Sequence, residues 1–227
     1  METKFNIPQI KICGITTPAQ AEQCAALGAD AIGCVFFEKS PRNLSDKQAG
    51  EICAAVAGKI QAVGVFVNAS YETIIGKVGF CGLNGVQLHG SEPPELVTRL
   101  RRQGLIVIKA LFGSKTPGLD IGPLYHTASA LLAECGSGTL PGGNAMVWNW
   151  AEAGSVARHG PLVLAGGLSP ENIAEAVFAA LPDAVDVSSG VEAAPGIKDM
   201  NKIALFINNI QQTVSGISPE GHLRRIF

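Results

Sequence analysis

The chain has 227 residues, 47% of them hydrophobic and 16% charged, with a formal net charge of −2. That length suits one closed α/β barrel and buries enough surface to hold a core without disulfide or metal staples. The near-neutral charge argues against a general nucleic-acid binder, and no apolar run approaches the roughly 20 residues that span a bilayer. The six cysteines (Cys13, Cys24, Cys34, Cys53, Cys81 and Cys135) fall in no CxxC and share no zinc-like spacing with histidine, so no metal site is expected. No secretory leader precedes "METKFNIPQI", which points to a cytoplasmic protein with reduced thiols.

In chain order, short apolar runs alternate with helix-like segments. "QIKICG" (9–14) leads to a helix that Thr17-Pro18 opens and Gly28 stops. "AIGCVFF" (31–37) precedes a helix opened by Ser45, and "QAVGVFV" (61–67) one opened by Ser70. "NGVQLHG" (84–90) leads to the segment opened by Ser91-Glu92-Pro93. "LIVIKAL" (105–111) is followed by the least regular connection, around "TPGLDIGPLYHTAS". "ALLAE" (130–134) and "PLVLAGG" (161–167) come next, the latter before a helix opened by Ser169-Pro170. "AVDVSSG" (184–190) precedes a last helix over "IKDMNKIALFINNIQQTVSG". Most of the runs lack polar alternation, as parallel strands covered by helices require. Eight strand–helix repeats predict a single (β/α)8 TIM barrel over residues 1–215. No GxGxxG follows the first strand, which weighs against an open dinucleotide-binding sheet. Residues 216–227 form a tail, exposed or capping a helix.

In such a barrel the carboxyl ends of the strands share one mouth. Cys13 ends strand one beside Gly14, where a thiol near an electropositive mouth would ionise more readily. Gly166-Gly167 and Ser188-Ser189-Gly190 end strands seven and eight; they grip a phosphate through backbone amides, or they only make tight turns. Arg42 lies in a polar loop past strand two, either capturing a carboxylate or phosphate or facing solvent. Lys109 reads as a Schiff-base amine or, preferably, a structural lysine. His89 reads as a catalyst or as a histidine hydrogen-bonding its own loop.

"KICGIT", "LGADAIGCVFFEKSPRNLS", "VGVFVNAS", "GVQLHGSE", "VIKAL", "PLVLAGGLSPENIAEAV" and "VDVSSGVEAAPGIKDMNKI" together resemble the phosphoribosylanthranilate isomerase family over roughly residues 9–205. The resemblance implies an Amadori rearrangement of N-(5′-phosphoribosyl)anthranilate to 1-(2-carboxyphenylamino)-1-deoxyribulose 5-phosphate, in tryptophan biosynthesis. An acid protonates the furanose oxygen and opens the ring to an iminium ion; a base then removes the C2′ proton. The iminium is itself the electron sink, so no cofactor is implied. By resemblance Cys13 is the base, with its thiol ionisation lowered towards neutral pH. Arg42 holds the anthranilate carboxylate, and Gly166, Gly167, Ser189 and Gly190 hold the phosphate with help from Gly142 and Gly143. His89 and Asp186 take supporting roles.

Strand six departs from the family pattern. The family's acid is an aspartate before GGTGxxFDW; here the stretch reads "ALLAECGSGTLPGGNAMVWNW", with Glu134 at the strand end, Asn144 for the hydroxyl residue, and Trp148-Asn149-Trp150 for Phe-Asp-Trp. Glu134 is the expected acid, which requires its ionisation to be raised; the alternative is a loop cap with another acid donating. The glycines between Cys135 and Val147 suggest a lid over the phosphate. Two other functions remain at this stage: an isomerase of a different aminoaldose phosphate, or a non-catalytic sugar-phosphate-binding barrel. The expected partner is the small-molecule substrate, with no nucleic acid or membrane and either a monomer or a homodimer.

Overall fold

In the computed structural model, which describes residues 7–136, 147–214 and 223–227, eight parallel strands close into a barrel in chain order. They are β1 (Gln9–Cys13), β2 (Ala31–Phe36), β3 (Gln61–Phe66), β4 (Gly85–Leu88), β5 (Ile106–Phe112), β6 (Ala130–Glu134), β7 (Leu162–Ala165) and β8 (Ala184–Val187). Pairing of β1 with both β2 and β8 closes the ring, as the eight apolar runs predict.

Strand alternation sorts the side chains into an outer and an inner core. Ile10, Ile12, Val86, Leu88, Val107 and Leu111 face outward and pack with the helices in the larger apolar cluster. Ala31, Val63, Ile108, Ala110, Phe112, Ala130, Leu132 and Val163 fill the barrel's inside. By the same alternation Gln9, Lys11 and Cys13 point inward on β1, as do Gln87 on β4, Glu134 on β6 and Asp186 on β8. Most of the barrel's chemistry is therefore carried by inward positions near the strand ends.

The helix starts follow the sequence signals closely where a hydroxyl caps. Before α1 (Pro18–Leu27), α2 (Asp46–Val56) and α3 (Tyr71–Cys81), the side chains of Thr17, Ser45 and Ser70 accept from the amides of Gln20, Gln48 and Thr73. Each satisfies an amide that the first turn would leave unpaired. At α4 (Pro94–Arg101) no side chain caps the start. Glu92 turns inward instead, accepting from the amides of Asn68 and Gly90 and pairing with Lys109 at 3.0 Å.

Three connections differ from simple helices. A 3₁₀ turn over Leu119–Tyr125 stands between β5 and β6, with Pro123 inside it; this is the irregular connection of the sequence. Another, Trp150–Ala153, runs into the short α5 (Gly154–Ala157) before β7. After α6 (Ile173–Ala180) and β8, a small hairpin pairs β9 (Glu192–Ala194) with β10 (Ile197–Lys198), the latter at the expected start of the last helix. The last helix, α7 (Met200–Val214), begins only beyond it.

Of the expected tail only residues 223–227 are described, and they dock on the barrel, with Ile226 buried while Arg224 and Arg225 stay exposed. Ile226 is 8% exposed and packs on the inner cluster at the amino ends of the strands, the face opposite the mouth. Gln9 clamps it there: its Oε1 accepts from the amides of Ile226 (2.6 Å) and Phe227 (3.1 Å), and its Nε2 donates to the Phe227 carbonyl (2.9 Å). Arg224 pairs with the buried carboxylate of Asp183 at 2.7 Å. The terminal residues thus form a floor for the barrel.

Candidate active site at the barrel mouth

Cys13 closes β1 next to Gly14, whose φ of +79° suits glycine. A Cβ on Gly14 would also strike the Arg42 side chain, so the glycine lets the arginine lie across the end of β1. Opposite, Gly33 on β2 is paired with Cys13 in register. A Cβ there would stand 2.7 Å from the Cys13 sulfur and 3.1 Å from the Lys11 Nζ. Both glycines clear space around the sulfur.

Two charge networks surround that sulfur. Lys11, fully buried, pairs with Asp186 Oδ1 at 2.9 Å. Arg42, from the loop after β2, is also buried and meets Glu192 in a fork, Nε to Oε1 and Nη2 to Oε2, both at 2.7 Å. Lys198 completes this second set at 2.7 Å from Glu192 Oε1. Three cations against two carboxylates leave the region with a positive excess. Glu192 engages two of the five guanidinium N–H groups of Arg42, and among the described residues no hydrogen bond of the other three is seen.

Ionisation of Cys13 nevertheless runs opposite to the expectation. Burial pushes the thiol above its ordinary value; Lys11 and Lys198 pull it down and Asp186 pushes it up, with burial prevailing. A thiol 8% exposed loses more hydration as a thiolate than the neighbouring cations restore.

Across the barrel, Glu134 ends β6 and is 6% exposed. Its Oε2 lies 3.0 Å from His89 Nε2, a charge contact that is not an aligned hydrogen bond. The amide of Gln87 donates to His89 Nδ1 at 3.1 Å, so that Nε2 is the nitrogen that carries a proton towards Glu134. Phe112 fixes the imidazole from the side, edge to face at 5.4 Å. Burial would raise the Glu134 carboxyl, but the contact with His89 and the charges of Lys115 and Lys11 outweigh it, and the group sits below its ordinary value. The expected upward shift is thus reversed because His89 favours the carboxylate.

Glu134 also neighbours the glycine turns. A Cβ on Gly166 would lie 3.0 Å from Glu134 Cγ and 3.2 Å from Trp148 Nε1. Gly166 and Gly167 take φ of +86° and +70°. Trp150 Nε1 donates to the Gly166 carbonyl (3.2 Å) and Asn172 Nδ2 to the Gly167 carbonyl (2.8 Å). Because a peptide is planar and trans, the amides of Gly167 and Leu168 are then turned away from those partners. The Ser189–Val191 turn packs directly on this one: a Cβ on Gly190 would collide with the Leu168 carbonyl. The two turns form one glycine-lined surface at the ends of β7 and β8.

The structure thus brings Cys13, Glu134, His89, Asp186, Arg42 and both glycine turns to one end of the barrel. Gly142, Gly143, Asn144 and most of the expected lid lie outside the described residues. Lys109 goes elsewhere: it faces the helix layer, fully buried, bonded to Glu92, the Gly90 carbonyl (2.6 Å) and the Leu88 carbonyl (3.3 Å). Its duty is structural. Lys11 is the residue that sequence reasoning passed over; its signal was a lone lysine two positions before Cys13 in an otherwise apolar strand.

Fold and mouth together define a (β/α)8 barrel enzyme with ionisable groups and a glycine-lined surface at the carboxyl ends of its strands. The family model described as N-(5′-phosphoribosyl)anthranilate (PRA) isomerase matches residues 10–209. An N-(5′-phosphoribosyl)anthranilate isomerase of Desulfatibacillum aliphaticivorans is 49% identical over 219 residues, covering 96% of this chain and 98% of that one. The crystal structure of phosphoribosyl anthranilate isomerase from Thermotoga maritima superposes with a TM-score of 0.82 at 38% identity, over 91% of this chain and 100% of that one. A second, with a TM-score of 0.79 at 37% identity over the same shares, is in complex with reduced 1-(o-carboxyphenylamino)-1-deoxyribulose 5-phosphate. The chain belongs to the N-(5′-phosphoribosyl)anthranilate isomerase family.

Proposed function

We propose that the chain isomerises N-(5′-phosphoribosyl)anthranilate to 1-(2-carboxyphenylamino)-1-deoxyribulose 5-phosphate in tryptophan biosynthesis, with Glu134 as acid and Cys13 as base. One observation carries the assignment of roles: the ends of β1 and β6 turn a thiol and a carboxyl into the same barrel mouth, each beside a cationic or proton-bearing partner.

The substrate's two anionic ends match the two sides of this mouth. Arg42 takes the anthranilate carboxylate with the N–H groups that Glu192 leaves, and the amides of the glycine turns take the phosphate. Glu134 then protonates the ring oxygen, and the C1′–O bond breaks as the nitrogen lone pair forms the iminium. Cys13 removes the C2′ proton. The C–H electron pair becomes the C1′=C2′ bond, the iminium pair returns to nitrogen, and the enolamine tautomerises to the ketone. His89 supports Glu134 by holding its carboxyl at the end of β6.

The ligand-free protonation state is the reverse of the productive one, since the thiol is held up and the carboxyl down. Substrate binding must move the proton. Its phosphate beside Gly166 brings negative charge towards Glu134 and favours the acid form, while the iminium brings positive charge towards Cys13 and favours the thiolate. A thiolate base also suits a cytoplasmic setting, where thiols stay reduced. Among the described residues no helix is long and apolar enough to cross a membrane.

Arg42→Ala tests the orientation of the substrate. It is expected to raise KM for phosphoribosylanthranilate while leaving the descarboxy analogue, phosphoribosylaniline, little changed. Equal losses on both compounds would remove Arg42 from carboxylate recognition.

A further inference from the structure

Lys11 has no part in the roles assigned so far, yet its placement is costly. Burying an ammonium and a carboxylate costs several kcal/mol per ion, and well-packed apolar residues commonly serve stability as well. Stability alone therefore does not explain a lysine with no exposed surface in the middle of β1.

The geometry points to Lys11 as a positioning residue of the proton transfer: from inside the barrel it supplies the positive partner of the Cys13 thiolate, while Asp186 anchors its ammonium. This inference rests on the reading of Cys13 as the base. Lys11 and Cys13 are two apart on one strand and so share the inner face. Lys11 and Asp186 are register partners on neighbouring strands, with Nζ 2.9 Å from Oδ1. The missing side chain of Gly33 leaves a space that both Nζ and the sulfur border, at 3.1 and 2.7 Å from its ideal Cβ position. The ammonium has three N–H donors, so holding Asp186 leaves donors for sulfur.

The other charged groups acting on the sulfur are Lys198 on β10, Arg42 after β2 and Asp186 on β8; Cys34 on β2 also interacts with it but faces the helix layer. Lys198 is bonded to Glu192 and to the Ser188 carbonyl, and Arg42 to Glu192 in a fork. Lys11 alone among these cations lies on the same strand as the sulfur, two positions before it, and borders with it the gap left by Gly33. Before the transfer the ammonium faces both thiolate and carboxylate. The C2′ proton then passes to sulfur, its bonding pair stays with the substrate, and the ammonium keeps Asp186 as counter-ion. Lys11 gains and loses no proton.

The test is the pH dependence of Cys13 alkylation by iodoacetamide, read at that residue by peptide mass spectrometry and needing no substrate. Lys11→Met is expected to move the alkylation midpoint upward by about 1–3 pH units, the range an adjacent opposite charge commands. Because Lys11→Met strands Asp186, the double variant Lys11→Met/Asp186→Asn is measured beside it. Its shift is expected upward and smaller, since Asp186 opposes the thiolate. Turnover should fall mainly in kcat, with its alkaline limb displaced in the same direction. An unmoved midpoint in the double variant, with native circular dichroism, overturns the proposal. Cys13→Ala separates the two claims: full turnover in that variant overturns the base reading, whatever Lys11 does to alkylation.

Discussion

Replacing Ile226 with alanine tests the barrel floor and its separation from the chemistry. Ile226 is 8% exposed against Ala31, Val63, Ile108, Leu132 and their neighbours. Truncating a buried isoleucine to alanine costs about 2–5 kcal/mol, and a site that borders solvent sits near the low end, about 2 kcal/mol. For a chain of this size each kcal/mol moves the melting temperature by about 2–4 °C, giving a fall of about 4–8 °C by scanning calorimetry. Gln9 and Cys13 stand at opposite ends of β1, four residues or about 13 Å apart, so turnover at 25 °C should remain within about twofold of wild type. Removing residues 223–227 altogether should cost more, because the three Gln9 contacts and the Arg224–Asp183 pair go as well. A melting temperature within about 1 °C of wild type for both variants would refute the docked tail.

Gly33→Ala places a methyl group against the Cys13 sulfur and the Lys11 Nζ; kcat should fall at least tenfold, by roughly 1.4 kcal/mol of barrier, with KM little changed, and unaltered steady-state kinetics would contradict this close packing. Lys109→Met leaves Glu92 as a buried unpaired carboxylate and should destabilise by about 3–5 kcal/mol in urea unfolding, whereas Lys109→Met/Glu92→Gln should recover much of the loss. A double variant no more stable than the single one would refute the structural reading of that pair. The pH profile of kcat/KM, corrected for the substrate's own phosphate ionisation, should be level across neutrality. Thiolate with carboxylic acid is one tautomer of the singly protonated Cys13–Glu134 pair, and the total of that form is constant between the two ionisations. Its acid limb should fall below the ordinary carboxylate range and its alkaline limb above the ordinary thiol range, as the directions of the two shifts require. A narrow bell centred on pH 7 would contradict both shifts.

The barrel was legible because its signals are local. Apolar runs marked every strand of the barrel, and the hydroxyls of Thr17, Ser45 and Ser70 marked helix starts that the structure reproduces bond for bond. Where tertiary partners took over, local signals failed. Glu92 looked like part of a helix start, but a lysine on the neighbouring strand claims it. "GHLRRIF" looked like a solvated tail because nothing in it reveals that Gln9, more than 200 residues earlier, receives its backbone. Strand ends located Cys13 and Glu134, yet their ionisation could not be read from position. It depends on how completely each is buried and on which side chains from other strands reach it: Lys11 for one, His89 for the other. Lys11 itself escaped notice because, although "KICGIT" begins with it, a lone lysine in an apolar strand announces no chemistry by itself; only register with Asp186 gives it meaning.

The most direct measurement follows the loss of fluorescence of freshly generated phosphoribosylanthranilate with wild-type protein, Cys13→Ala and Glu134→Gln. Wild type should turn over, and each variant should lose about 10²–10⁴-fold in kcat, the usual worth of one general acid or base. A Glu134→Gln variant within about tenfold of wild type would contradict the assignment of Glu134 as the acid, and a Cys13→Ala variant equally active would contradict the base.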